Sequence, residues 1–127
     1  MNGSGVLLDT NGVIHFLEAT MPQEGLTFLR GRSFHVSFIT EIELRTLRAE
    51  RQEALDRTLS FLANCERHGL SELLKDEAVR LRIRYRLKTP DAIIAATAKI
   101  KRLPFVTGDK GLRRLADELE LIFVQYP

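Results

Sequence analysis

Two short apolar runs in this chain each stop at an acid. Val6-Leu7-Leu8 runs into Asp9 and then Thr10-Asn11, and Phe105-Val106-Thr107 runs through Gly108 into Asp109. Runs this short and this apolar read as strands buried on both faces, the habit of a parallel sheet covered by helices. In an open parallel sheet, ligands bind in the crevice beyond the carboxyl ends of the strands. An acid at that place in two strands predicts one shared pocket.

The segments between them support a parallel sheet. Val6–Asp9 is followed directly by a helix over Asn11–Glu18. Pro22–Arg30 reads as a second helix, opened by proline in its first turn and stopped by Gly31. Phe34–Phe38 is a short strand. A helix runs from Thr40 to about Glu50, and a longer one passes through Asp56, Leu59, Leu62 and Ala63 to about Arg67, ended by His68-Gly69. Leu70–Leu74 reads as a short extended segment. Residues 79–88 alternate apolar and basic with period two, a strand signal, while Asp76-Glu77-Ala78 just upstream is a helix start. From the pattern alone both states stay open. Thr89-Pro90 opens an Ala- and Ile-rich helix over Asp91–Lys101, followed by a strand at Phe105–Thr107, a helix over Gly111–Leu119 and a last strand at Leu121–Gln125. Strands alternating with helices predict an α/β fold covered on both faces.

Length and charge narrow the partners. At 127 residues the chain is expected to form one domain over 1–127, burying roughly two-thirds of its unfolded surface. No apolar stretch reaches the roughly 20 residues of a membrane span, and Met1–Gly5 reads as a short flexible lead without the pattern of a secretory signal. Cys65 is the single cysteine, which excludes an intrachain disulfide and a thiolate metal cage and fits a reducing cytoplasm. Residues 1–64 hold 6 basic against 8 acidic side chains, net −2, whereas residues 65–127 hold 13 against 9, net +4. The excess gathers at Arg80, Arg82, Arg84, Arg86 and Lys88, then at Lys99, Lys101 and Arg102. Such a patch suits a phosphate backbone, a partner with acidic side chains, or plain solvation of a helix face.

Two further acids stand at helix starts, Glu43 and Asp91. Each of the four has a structural alternative. Asp9 is a good N-cap for the helix behind it, though Thr10 or Asn11 could cap instead. Thr40-Glu41-Ile42-Glu43 fits a capping box, with Glu41 a rival carboxylate on the same turn. Asp91 suits the positive end of a helix dipole; its neighbours Ala92 to Ala96 are apolar, so an acid facing that crevice needs a cation or hydrogen-bond donors. Gly108-Asp109-Lys110-Gly111 is also a plain turn. What favours a site is the set. Two carboxylates about 4 Å apart at an effective dielectric of about 20 repel by roughly 4 kcal/mol, so four together call for a cation. For oxygen-only ligands that cation is Mg²⁺ or Mn²⁺.

Other chemistries fit less well. His15, His35 and His68 are far apart in sequence, and no histidine pair of a metal-free ribonuclease can be assembled from their spacing. A phosphoacceptor receiver domain wants adjacent acids after its first strand, and Asp9 has none. A haloacid-type phosphatase wants an acid where Asn11 stands. Phe16, Leu17 and Phe28 could line a dimer or partner groove, although core packing suits them better.

In order along the chain, Leu8-Asp9-Thr10-Asn11, Thr40-Glu41-Ile42-Glu43-Leu44, Asp91-Ala92-Ile93-Ile94-Ala95-Ala96-Thr97-Ala98 and Leu103-Pro104-Phe105-Val106-Thr107-Gly108-Asp109 resemble the PIN-domain family, and within it the VapC-like ribonuclease toxins of type II toxin–antitoxin systems. The resemblance spans essentially the whole chain. It implies a three-layer α/β/α sandwich around a mostly parallel sheet of four to five strands, with residues 76–88 helical. It also implies an acidic pocket of Asp9, Glu43, Asp91 and Asp109. Asp9, Asp91 and Asp109 would hold Mg²⁺ or Mn²⁺, with Thr107 and Asn11 as polar neighbours. The implied activity is metal-dependent RNA hydrolysis, with Arg80, Arg82, Arg84, Arg86 and Lys88 against the RNA backbone. The implied partners are RNA, a cognate antitoxin and a second copy of the chain. Where the toxins often carry a further acid and an aromatic after the last acid, this chain has Gly111 and Leu112. The class set against it is a catalytically silent protein-interaction module on the same scaffold.

Overall fold

The computed structural model describes residues 4–127. Five strands, β1 (Gly5–Leu8), β2 (Ser33–Ser37), β3 (Glu66–His68), β4 (Phe105–Thr107) and β5 (Leu121–Phe123), form one sheet in the order β3-β2-β1-β4-β5. Every pairing is parallel. The chain works outward from β1 to β3 on one side and then crosses to β4 and β5 on the other. The strand order therefore reverses between β1 and β4, and the crevice of such a sheet opens there.

Alternation along the strands makes two cores. Val6, Leu8, Val36 and Val106 face one side, against Val13, Leu29, Leu44 and Leu62. Those partners come from helices α1 (Thr10–Leu17), α2 (Gln23–Leu29), α3 (Phe38–Leu47) and α4 (Gln52–Ala63). Leu7 and Phe105 face the other side, against α5 (Glu72–Tyr85), α6 (Thr89–Lys101) and a 3-10 helix over Lys110–Asp117. The result is the α/β/α sandwich. Val6, Leu7, Leu8, Phe105 and Val106 are wholly buried, and the one polar side chain on those two strands, Thr107, is buried at the end of β4. Alanines 92, 95, 96 and 98 are buried on α6, and side chains so small let that helix lie close to α5 and the sheet.

Several boundaries differ from the sequence pattern. Residues 79–85 are helical, and the buried stripe is Leu74, Ala78, Leu81 and Tyr85, at helical spacing. Val79 and Ile83, which made the period-two signal, are 58% and 77% exposed. Leu70–Leu74 is not extended, because Ser71 caps α5 by accepting the Leu74 N–H at 3.1 Å. The third strand lies earlier, at Glu66–His68, where a helix end was expected. A polar three-residue strand on the sheet edge carries no apolar signature. Ser37, not Thr40, caps α3, so the expected capping box does not form. Gly5 belongs to β1 and not to the flexible lead expected over Met1–Gly5, of which residues 1–3 lie outside the described residues. Phe16, Leu17 and Phe28 pack against the first core. No helix among the described residues is long and apolar enough to cross a membrane.

One carboxylate locks the second helical layer. Glu118, just after the 3-10 helix, accepts the Tyr85 hydroxyl at 2.6 Å and pairs with Arg80, with Arg84 at 3.3 Å and with Lys99 at 3.4 Å. Its hydrogen bond from Arg80, then those from Tyr85 and Lys99, hold its carboxyl down at about 2, below the usual 4.5. A depressed folded-state value adds stability above pH 4.5 and loses it as the pH falls toward 2. Glu118→Gln should therefore cost on the order of 1–2 kcal/mol at pH 7 by urea unfolding. Its deficit should shrink through that acid window. An unchanged midpoint at pH 7 would mean that the cluster is ornamental.

Candidate active site

Asp9 stands where β1 turns into α1, at the point of strand reversal. Its Oδ1 accepts the Gly12 N–H at 2.8 Å, so it does cap the helix. Its Oδ2 accepts the hydroxyl of fully buried Thr107, the last residue of β4, at 2.6 Å. Thr107 Oγ1 in turn accepts the Asp109 N–H at 3.1 Å. Asp109 caps the 3-10 helix, accepting the Gly111 N–H at 2.8 Å. Asp91 lies in the first turn of α6, behind Pro90, half-buried. Glu43 sits within α3, not at its cap, and accepts the Thr10 hydroxyl. Thr10 Oγ1 lies 3.4 Å from Thr40 Oγ1. The topology thus delivers all four acids to one cavity of about 420 Å³, with Thr10 and Asn11 also in its wall. Among the described residues, no lysine, arginine or histidine lines it.

The electrostatics follow. Burial pushes the Asp9 carboxyl up from 3.8 to about 6, the charges of Asp109 and Asp91 add to this, and the Thr107 and Gly12 hydrogen bonds oppose it. Asp91 is raised by burial, then by Asp109 and Glu43, with Lys88 opposing. An all-oxygen donor set with no cation in its wall fits a hard divalent ion. The acids share the cavity without converging further. Three ligand atoms within 4.8 Å of one another occur, among the described residues, only at His35, Glu66 and His68. That corrects the expectation for the histidines. Two of them, 33 residues apart, meet at 2.8 Å across β2 and β3.

Asn11 is exposed at the cavity's rim, and Thr107 is the buried support of Asp9. The basic run is divided where α5 ends at Tyr85, short of the helix expected through residue 88. Arg80 and Arg84 turn to Glu118, Arg82 Nε donates to the Leu87 carbonyl at 2.9 Å, and Arg86 and Lys88 stay exposed. Lys88 is the member whose charge reaches Asp91. The pattern missed Tyr126. A Cβ built on Gly108 would stand 2.5 Å from the Tyr126 ring and 2.6 Å from the Val124 carbonyl oxygen. One on Gly12 would meet Asp9 Oδ1 at 3.0 Å and the Tyr126 hydroxyl at 3.3 Å. That hydroxyl is buried without a hydrogen-bond partner, and the ring stacks on His15 at 4.0 Å. A lone tyrosine beyond the last strand gives no sequence signal that it backs the pocket.

A doubly covered parallel sheet with carboxylates gathered at its reversal point defines an α/β/α protein with an acid-lined pocket. The chain belongs to the PIN-domain family, whose model matches residues 6–118. Among solved structures, a chain of a toxin–antitoxin complex from Klebsiella pneumoniae is 28% identical with a TM-score of 0.76, over 92% of this chain and 95% of that one. FitAcB from Neisseria gonorrhoeae is 26% identical, TM-score 0.70, over 92% and 96%. VapBC2 from Rickettsia felis, bound to a DNA fragment from its promoter, shares the fold at 18% identity and TM-score 0.79, over 97% and 99%. A search of curated protein sequences gives no significant match.

Asp9 makes the metal-free protein sensitive to pH. Its folded value lies above its unfolded one, so its contribution is full below about 3.8 and is lost as the pH rises through about 6. Asp9→Asn should therefore match the wild type near pH 4 in chelator. It should exceed the wild type at pH 8 by on the order of 2–3 kcal/mol, measured by thermal or urea unfolding. A variant less stable than wild type at pH 8 would show that Asp9 is not buried at a net cost.

Proposed function

We propose that this chain is a divalent-metal-dependent endoribonuclease, a hydrolase of RNA phosphodiester bonds, and the VapC-like toxin of a toxin–antitoxin pair. The observation that carries it is the cavity shared by Asp9, Glu43, Asp91 and Asp109 with no cationic side chain in its wall. Asp9, Asp91 and Asp109 would hold Mg²⁺ or Mn²⁺, the ions suited to oxygen donors. When bound, such an ion polarises the scissile phosphate and lowers the pKa of its water. The chain's own groups fix the geometry. Thr107 and the Gly12 N–H each hold one oxygen of Asp9, so that carboxylate cannot swing. Thr10 holds Oε1 of Glu43. That leaves the other Glu43 oxygen to take a proton from the attacking water.

Partner surfaces adjoin the pocket. Ile42 and Leu47 line the same cavity as the acids, yet are 57% and 66% exposed, and Leu59 on α4 is 42% exposed. Apolar side chains beside a functional pocket suit a protein that covers it, here the cognate antitoxin. The exposed Val79 and Ile83 of α5 offer a face for a homodimer. Arg86 and Lys88, with Arg80, Arg82 and Arg84 behind them, would carry the RNA backbone toward Asp91.

Asp9→Asn and Asp91→Asn should each lower RNA cleavage in Mg²⁺ or Mn²⁺ about a hundredfold or more. Circular dichroism should show the fold kept, and wild-type cleavage in either folded variant would sink the assignment. Changing Arg86 and Lys88 together to Gln should weaken RNA binding and flatten its salt slope by about 1.4 for single strands. An unchanged slope moves the RNA to another face.

A further inference from the structure

The strongest feature outside the acid pocket is on the edge of the sheet. Glu66 and His68 are two apart on β3, so they project from the same face, and the register pairs His35 of β2 with Glu66 and Ser37 with His68. All three side chains therefore leave one face of two neighbouring strands. His35 Nδ1 lies 2.8 Å from His68 Nε2 and 3.9 Å from Glu66 Oε2, and one ligand atom from each falls within 4.8 Å of the others. The two rings are nearly parallel, 6° apart.

We propose that His35, His68 and Glu66 form a second metal site, separate from the acid pocket and selective for a borderline transition-metal ion of the zinc class. Two imidazole nitrogens and one carboxylate oxygen are a zinc donor set, and three protein ligands leave a fourth position open. Hard Mg²⁺ prefers oxygen alone, so the two donor sets sort the two kinds of ion. The shared N–H between the histidines marks where the ion would enter. With Zn–N bonds of about 2.0–2.1 Å at a tetrahedral angle the nitrogens stand about 3.3 Å apart, so they must part by about 0.5 Å and the rings must tilt to aim both lone pairs at one ion.

Burial lowers the proton affinity of His35 against the pull of Glu66, and burial with the charges of His35 and Lys101 lowers that of His68, also against Glu66. Ser33 Oγ lies 3.4 Å from His35 Nε2, on the side of the ring away from the ligand atom, where an outer partner fixes a ligating histidine. His35 has a side chain only 13% exposed, whereas that of Glu66 is 69% exposed, so the cluster runs from a largely covered histidine to a carboxylate at its solvent mouth. None of these residues lines the acid cavity.

The test titrates the chelator-treated full chain with Zn²⁺ by calorimetry in excess Mg²⁺, and repeats it with Co²⁺ by visible absorption. One Zn²⁺ per chain is expected, with a Co²⁺ spectrum of four-coordinate type. His68→Gln should weaken Zn²⁺ binding about tenfold or more and Glu66→Gln about threefold or more, while Asp91→Asn should leave it unchanged. Should His68→Gln fail to fold, Glu66→Gln decides, because its side chain is largely exposed. No Zn²⁺ uptake by the wild type, wild-type affinity in a folded His68→Gln or in Glu66→Gln, or loss of uptake in Asp91→Asn would each overturn the site.

Discussion

The hydrogen bond from Thr107 to Asp9 joins the ends of the two strands between which the sheet reverses. Asp9 and Asp109 are tied to one another through it. β1 and β4 run parallel and adjacent, so their terminal residues arrive side by side where α1 and the 3-10 helix leave toward opposite layers. A buried hydroxyl there satisfies a buried carboxylate, and the Asp109 N–H completes the chain by donating to the same hydroxyl. The arrangement still leaves Asp9 with its proton affinity raised, because two hydrogen bonds do not offset burial beside Asp91 and Asp109. Such an unfavourable charge persists in a folded protein when the remaining structure over-determines it, and functional sites are where it persists.

Capping does not exclude the proposed ligation. Asp9 and Asp109 each cap a helix with one oxygen through backbone N–H groups. A carboxylate has lone pairs on two oxygens, and a cap uses one of them. The helix start therefore acts as a jig that orients an acid at the strand end, and the residue types chosen for capping are also those chosen for hard cations. Glu43 differs, since its helix is capped by Ser37 and its own side chain is held by Thr10 from the neighbouring helix.

One sheet presents two kinds of donor at two places. Its reversal point gathers oxygens alone, from segments that leave four different elements. Its edge gathers imidazoles and one carboxylate, from two strands in register. Edge strands are exposed to unwanted pairing, and short, polar β3 is the kind of edge that resists it. The same polarity places Glu66 and His68 there.

Val6 to Asp9, Phe105 to Asp109 and the alanines of α6 announced the sheet, its central strands and the acids at their ends, because burial on both faces favours apolar residues until near the strand's end. That signal depends on composition over a few adjacent positions, and a sequence carries it directly. Residues 79–88 show its limit. Two periodicities coexisted there, and only packing of Leu74, Ala78, Leu81 and Tyr85 against α6 selected the helical one. The support of Asp9 by Thr107, the cover of Tyr126 over Gly108, the division of the basic run by Glu118 and the meeting of His35 with His68 all needed the tertiary structure. Each joins residues tens of positions apart, or rests on a strand too short and polar to declare itself, and such contacts are fixed by register and helix packing that no local pattern encodes.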